Sequence, residues 1–290
     1  MTDRNSRVAM IGLGAMGLPM AINMAKAGVS TQGWNRSLEA REKAAAAGVQ
    51  IVENLDSVDA KFIFTILPDL EQVEEVLAAG LRSALKPHDV LVVMGTVSPG
   101  GIQKLGEELA LNYIELLDAP VSGGIEGAAA ATLSIMVGGK SEVLEEVRPY
   151  FEKMGKTIRL LGPLGSGEMA KACNQIIVAI TLAGIAEAIT LGRKAGLDTS
   201  VLLDLLIGGY ANSTLLSTKR ERIESKNYER GGSANYQLKD LRIALEAGIE
   251  NGVALPVTTE VAKLFAALVA AGEGELDHSA IFNEIERRSR

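Results

Sequence analysis

A single cysteine, Cys173, excludes a disulfide within the chain, and two histidines far apart in sequence, His88 and His278, leave too few ligands for a histidine or thiolate metal site. No bound metal is expected. Positive charge is also in short supply. The 29 Lys and Arg are scattered and outnumbered by 36 Asp and Glu, giving a formal net charge of −7. A phosphate backbone demands clustered cations, so nucleic acid is not an expected partner. Met1 to Arg7 is polar where a signal peptide carries an apolar stretch. The uncharged segment Ala172 to Ala186 is too short to cross a bilayer and contains Asn174, Gln175 and Thr181. The composition points to a cytoplasmic globular protein with no membrane partner.

What the chain has in quantity is apolar residues, 47% of 290, enough for the cores of two domains. Short β-rich runs alternate with helical ones: Val8 to Ile11, Val29 to Trp34, Phe62 to Leu67, Val90 to Met94, Tyr113 to Leu117, Leu133 to Val137 and Thr157 to Leu161. The alternation predicts an α/β fold with a doubly wound, largely parallel sheet. At the glycine-rich turn Gly162 to Gly167 the strands give way to long helical periods of Ala, Leu and Ile. The boundary is placed there, with a sheet domain at residues 1–164 and an all-α domain at residues 165–290. Glu168 to Ala195 is apolar around nearly its whole circumference. That predicts a helix covered on all sides by its own domain, the sheet domain or another subunit, and hence a homodimer or homotetramer.

Gly12-Leu13-Gly14-Ala15-Met16-Gly17 directly follows the first strand and opens a helical stretch, the context in which a GxGxxG pattern is informative. In such a strand-turn-helix unit the first glycine makes the tight turn, the second lets the main chain approach a pyrophosphate, and the third lets helix and strand pack closely. The phosphates then sit on unpaired helix N–H groups. The sheet domain is therefore read as a Rossmann dinucleotide-binding domain. Ligands of such sheets bind at the carboxyl ends of the strands, where a hinged helical domain would close over them. After the second strand come Asn35-Arg36-Ser37, with no acid before Glu39. An NAD-preferring site places a carboxylate here for the ribose 2′-hydroxyl, and that group would repel a 2′-phosphate. Arg36 instead offers a guanidinium fork, with Asn35 and Ser37 as neutral donors, so NADP(H) is expected over NAD(H). The alternative reading of Arg36 is a solvated loop arginine.

Within the apolar helix Lys171, Asn174 and Gln175 stand at i, i+3 and i+4 and project from one face. A desolvated lysine loses proton affinity and suits proton exchange near neutrality. Alternatively, Lys171 lies at an exposed first turn, with Asn174 and Gln175 capping nearby backbone. A second turn, Asp118-Ala119-Pro120-Val121-Ser122-Gly123-Gly124, follows a strand, and its glycine N–H groups with the Ser122 hydroxyl can bind a carboxylate. Asp118 is read as a structural hydrogen-bond acceptor.

The glycine turn with Leu18-Pro19-Met20, the Asp118 to Gly124 turn, Gly165-Ser166-Gly167 with Lys171 and Asn174, and Lys239-Asp240 together resemble the β-hydroxyacid dehydrogenases, in order and over nearly the full chain. The resemblance implies that Lys171 is the catalytic acid or base. It also implies that Ser122, Gly123 and Gly124 bind the substrate carboxylate, and that Asn174, with Gln175 beside it, positions the reacting oxygen. Leu67, Pro68 and Thr96 match positions that line the cofactor, and Lys239 matches a lysine that reaches it. Asn174-Gln175, Gly208 to Thr214 and Asp277-His278-Ser279-Ala280 are similar to tartronate semialdehyde reductases, whereas 3-hydroxyisobutyrate dehydrogenases more often carry a second Asn at the position of Gln175. Two departures stand out: Ala131 replaces the glycine usual before the pair Thr132-Leu133, and Tyr210-Ala211-Asn212 is bulkier than the usual run. The expected activity is NADP(H)-dependent interconversion of a small 3-oxo acid and its 3-hydroxy acid, tartronate semialdehyde and glycerate first. 3-Hydroxyisobutyrate or another short-chain semialdehyde is the alternative pair. A decarboxylating 6-phosphogluconate enzyme is disfavoured by Cys173, where that family has His, and an imine reductase by Lys171 and Ser122-Gly123-Gly124. A non-catalytic NADP-binding sensor or scaffold is the rival from another class.

Overall fold

The structure, a computed structural model, describes residues 3–229 and 231–289. The chain divides into two compact units, Met1–Lys171 and Ala172–Arg290. The first is built from β1 (Val8–Ile11), α1 (Gly17–Lys26), β2 (Thr31–Trp34), α2 (Leu38–Ala46), β3 (Gln50–Ile51), β4 (Phe62–Thr65), α3 (Leu70–Val76), α4 (Arg82–Ala84), β5 (Val90–Val93), α5 (Pro99–Ala110), β6 (Glu115–Asp118), β7 (Val121–Ser122), α6 (Gly124–Ala129), β8 (Leu133–Gly138), α7 (Ser141–Phe151) and β9 (Gly155–Gly162). Six strands run parallel in the order β3-β2-β1-β4-β5-β6. That is the doubly wound arrangement whose order reverses beside the first strand. β8 joins β6 antiparallel through Asp118 and Gly138, and it pairs with β7 antiparallel and with β9 parallel.

β1, β4 and β5 read as nearly continuous apolar runs because both faces of the sheet are covered there. Val8 and Met10 of β1 share one core with Phe62, Phe64, Val90 and Val92, beneath Met20 and Met24 of α1 and Val147 and Phe151 of α7. Ala9 and Ile11 point the other way, with Ile63, Leu91 and Val93, against Val73 and Val76 of α3 and Ile102, Leu105 and Leu109 of α5. The two-residue strands β3 and β7 are too short to register as a sequence pattern.

The sheet unit ends inside α8 (Ser166–Lys194), because the start of that helix is tied to β6. Asp118 is fully buried and accepts the backbone N–H groups of Gly165 (2.8 Å) and Glu168 (2.7 Å). A Cβ on Gly167 would lie 2.8 Å from Asp118 Oδ2, and one on Gly138 would lie 2.2 Å from Oδ1, so glycine at both positions makes room for the carboxylate. Burial pushes the Asp118 carboxyl above its ordinary range, against the pull of the donated N–H groups.

The second unit holds the rest of α8, then α9 (Thr199–Ile207), α10 (Thr214–Ser225), α11 (Ala234–Glu250), α12 (Pro256–Leu268) and α13 (Ile281–Arg288). Its core gathers Leu182, Ile189, Leu241, Phe265 and Phe282. By length and composition α8 would reach across a bilayer, which the uncharged stretch Ala172 to Ala186 alone does not suggest. Half of its most apolar window is buried, with Ala179, Leu182, Ala186 and Ile189 fully enclosed, so it is a core helix. The expectation of cover on every side is not met within the chain. Ile177 (65% exposed) and Leu191 (72%) line an open face together with Cys173, Gly184 and Ala188.

Of two motifs singled out in the sequence, one does structural work in this unit and the other lies in the open. Asp277 is fully buried and accepts from Lys219 Nζ (2.7 Å), from the Ser279 hydroxyl (2.5 Å) and from the Ser279 N–H (3.0 Å). Ser233 and Asp277 form a bridge ahead of α11. Tyr210, in the turn between α9 and α10, is fully exposed.

Candidate active site

The carboxyl ends of β1, β2, β4, β5 and β6 share one edge of the sheet, and there the sequence places Gly12–Gly17, Asn35–Ser37, Leu67–Pro68, Thr96 and the Asp118–Gly124 turn. Gly12 adopts φ +99°, and a Cβ on it would strike the Ile66 carbonyl oxygen at 2.6 Å. A Cβ on Gly17 would meet the Gly12 carbonyl oxygen at 1.9 Å, so only glycine lets α1 pack this close to β1. A Cβ on Gly14 would meet nothing within 4 Å. No side chain caps the start of α1; in its first turn the Leu18 N–H is taken by the Gly14 carbonyl at 3.0 Å and Pro19 has none, so the N–H groups that fit a dinucleotide pyrophosphate belong to the glycine turn ahead of Leu18.

Asn35 Oδ1 accepts the Leu13 N–H at 3.0 Å. Asn35 thus holds the glycine turn in shape, a job the sequence did not signal. Ser37 occupies the N-cap position of α2 without spending its hydroxyl on a cap bond. Arg36 donates from Nη2 to Glu75 Oε2 of α3 at 2.6 Å. Leu67 and Pro68 are half-buried after β4. A Cβ on Gly95 would lie 2.0 Å from the Leu67 carbonyl oxygen, so the segment carrying Thr96 runs directly against the one carrying Leu67.

Lys171 is 8% exposed, which answers the alternative of an exposed first turn, and its Nζ donates to the Val121 carbonyl at 2.9 Å. That bond brings the ammonium to the residue preceding Ser122. Ser122 lies on β7 opposite Ser134, and Gly123 (φ +131°) and Gly124 (φ +66°) turn the chain into α6. Asn23 Nδ2 of α1 donates to the Ala128 carbonyl of α6 at 2.8 Å, joining the helix behind the cradle to the helix behind this turn. Glu168, also buried, accepts the Val97 N–H at 3.0 Å, which links the start of α8 to the loop carrying Thr96. An acid entering an apolar helix was the available signal for Glu168.

In the helical unit Gln175 Nε2 donates to Asp240 Oδ2 at 2.7 Å, and Lys239 Nζ lies 3.1 Å from Asp240 Oδ1. The Gln175 amide nitrogen is therefore held by α11. Asn174 Oδ1 is a buried acceptor with no hydrogen-bond partner among the described residues.

Residues 7–162 match the NAD binding domain of 6-phosphogluconate dehydrogenase, and residues 165–285 match the NAD-binding domain of NADP-dependent 3-hydroxyisobutyrate dehydrogenase. The chain is 38% identical to 2-(hydroxymethyl)glutarate dehydrogenase of Eubacterium barkeri, over 98% of this chain and 96% of that protein. It is 37% identical to 2-hydroxy-3-oxopropionate reductase of Escherichia coli K12, over 97% of each. The solved structure of Mycobacterium tuberculosis 3-hydroxyisobutyrate dehydrogenase with L-serine superposes with a TM-score of 0.86 at 32% identity, covering 96% of this chain and 98% of that one. Fold and matches together define an NAD(P)-dependent oxidoreductase with a Rossmann sheet followed by a helical domain. Within that class the chain belongs to the β-hydroxyacid dehydrogenase family, among its 3-hydroxyisobutyrate dehydrogenase-like members.

Proposed function

We propose that this chain reduces a small 3-oxo acid to its 3-hydroxy acid with NADPH, tartronate semialdehyde to glycerate being the leading pair, and that it does so in the cytoplasm as a homodimer or homotetramer. The observation that carries the reading is the buried Lys171 ammonium bonded to the carbonyl just before Ser122-Gly123-Gly124. It supports a proton donor and a carboxylate-binding turn separated by the short span of a 3-oxo acid. The names of the two curated relatives agree, since a hydroxymethyl on C2 of a glutarate and an oxo group on C3 of a propionate both put the reacting carbon β to a carboxylate.

The glycine turn and Asn35, Arg36, Ser37, Leu67, Pro68, Thr96 and Lys239 would hold the dinucleotide, which supplies the hydride when bound. Ser122 and the N–H groups of Gly123 and Gly124 hold the substrate carboxylate. Asn174 positions the reacting oxygen, its Oδ1 accepting from that oxygen once it carries a proton as the product hydroxyl, with Gln175 beside it. Lys171 gives a proton from Nζ to the substrate oxygen as negative charge develops there, and unprotonated Lys171 takes that proton back in the reverse direction.

A lost general acid costs about 10²–10⁴-fold in turnover, so Lys171→Ala is expected to depress kcat by that factor with the NADPH Kd unchanged. The assay is NADPH oxidation against tartronate, methylmalonate and succinate semialdehydes, the last with its aldehyde one carbon further from the carboxylate. Retained turnover in Lys171→Ala removes the lysine from its role. A preference for succinate semialdehyde removes the 3-oxo acid.

A further inference from the structure

The end of β2 is crowded with acids as well as bases. Arg41 pairs with Glu53 and Lys43 with Glu39, each at 2.6 Å. Arg36, two residues past the end of β2, pairs with Glu75 of α3, also at 2.6 Å. The sequence separates Arg36 and Glu75 by 39 positions, and nothing in the pattern around Glu75 marks it.

We infer that Glu75 sets how strongly this enzyme prefers a 2′-phosphorylated dinucleotide, by competing with that phosphate for the Arg36 guanidinium. The inference rests on Arg36 being the 2′-phosphate ligand. A phosphate taken up by Arg36 must displace the Glu75 carboxylate from Nη2 or share the guanidinium with it, and in both cases two anions meet at one cation. The pair is open to solvent, with side-chain exposures of 65% for Arg36 and 53% for Glu75. Such a pair is weak and screened by salt, so Glu75 tunes the preference rather than blocking the phosphate. NADH, with no 2′-phosphate, has no anion to exchange at Arg36 and is indifferent to the pair.

The test is direct titration of NADPH and NADH binding by calorimetry, at low salt and at 0.5 M salt (~4 Å Debye length), on the wild type, Glu75→Gln, Arg36→Ala and the double variant. Glu75→Gln keeps the length and helix propensity of the side chain on α3. The energy of an exposed pair converts to about a 2- to 5-fold tighter NADPH Kd in Glu75→Gln, with NADH unchanged. The gain fades at high salt and disappears in the Arg36→Ala background. An NADPH Kd that stays the same or weakens in Glu75→Gln overturns the inference, as does an equal change for NADH. If Arg36→Ala weakens NADPH selectively while Glu75→Gln does nothing, the inference falls and the cofactor reading stands. If Arg36→Ala weakens both dinucleotides equally, the cofactor reading itself falls.

Discussion

Ala131 holds its backbone at φ +55°, the left-handed region that favours glycine. α6 ends in a left-handed residue of the Schellman type: the Thr132 N–H reaches the Gly127 carbonyl at 2.9 Å, and the Ala131 N–H reaches that of Ala128 at 3.5 Å. A non-glycine residue pays about 1–2 kcal/mol in this region. Glycine returns about 0.4–1 kcal/mol of that through its freer unfolded chain. The balance predicts that Ala131→Gly stabilises the sheet unit by about 0.5–1 kcal/mol, which in a unit of this size raises its melting midpoint by about 1–4 °C. Scanning calorimetry reads the shift. Ala130→Gly is the matched control, because Ala130 sits at φ −82° where alanine is at ease. That variant is expected to lose about 0.5–1 kcal/mol. If both substitutions lower the midpoint, the argument from backbone strain is wrong.

Asp277 carries a pH dependence. Burial pushes its carboxyl up, but the neighbouring charge of His278, the Lys219 ammonium and the Ser279 donors outweigh it and hold the value below the ordinary 3.8. A carboxyl lowered on folding stabilises fully above its unfolded value and loses that contribution as pH falls through the folded one. Urea unfolding of the wild type is therefore expected to weaken progressively below about pH 4. Asp277→Asn, which strands Lys219, is expected to lose about 3–5 kcal/mol at pH 7 and to show a flatter acid limb; an unchanged acid limb in the variant would exonerate Asp277. The open face of α8 borders a groove of about 740 Å³ lined by Ala188, Leu191, Leu264 and Ile285 together with the charged Glu187, Lys194 and Arg288, a mixed surface of the kind that pairs with a second copy. Light scattering is expected to find a multiple of 30.6 kDa for the wild type and 30.6 kDa for Ile177→Glu/Leu191→Glu. A wild type at 30.6 kDa refutes the assembly.

The sheet was legible because its evidence is local. The central strands β1, β4 and β5 are nearly continuous apolar runs, and the glycine turn sits next in sequence to the strand it caps. The i, i+3, i+4 spacing placed Lys171, Asn174 and Gln175 on one face of α8 before any packing was known. The resemblance to a family added roles that periodicity alone does not carry. Asn35 shows where such reading stops: its residue type suggested a ligand donor and gave no sign that its oxygen also accepts the Leu13 N–H.

The amino-acid order by itself determined the alternation of elements, the cradle glycines and the change from sheet to helices, since these follow from steric limits and burial patterns within a few residues. Only the tertiary structure decided that Lys171 meets Val121, that Glu75 holds Arg36 and that Asp240 restrains Gln175, pairs 50, 39 and 65 positions apart. Hydrogen bonds and ion pairs act over a few ångströms. Residues so distant along the chain meet only when strand order and helix packing bring them there.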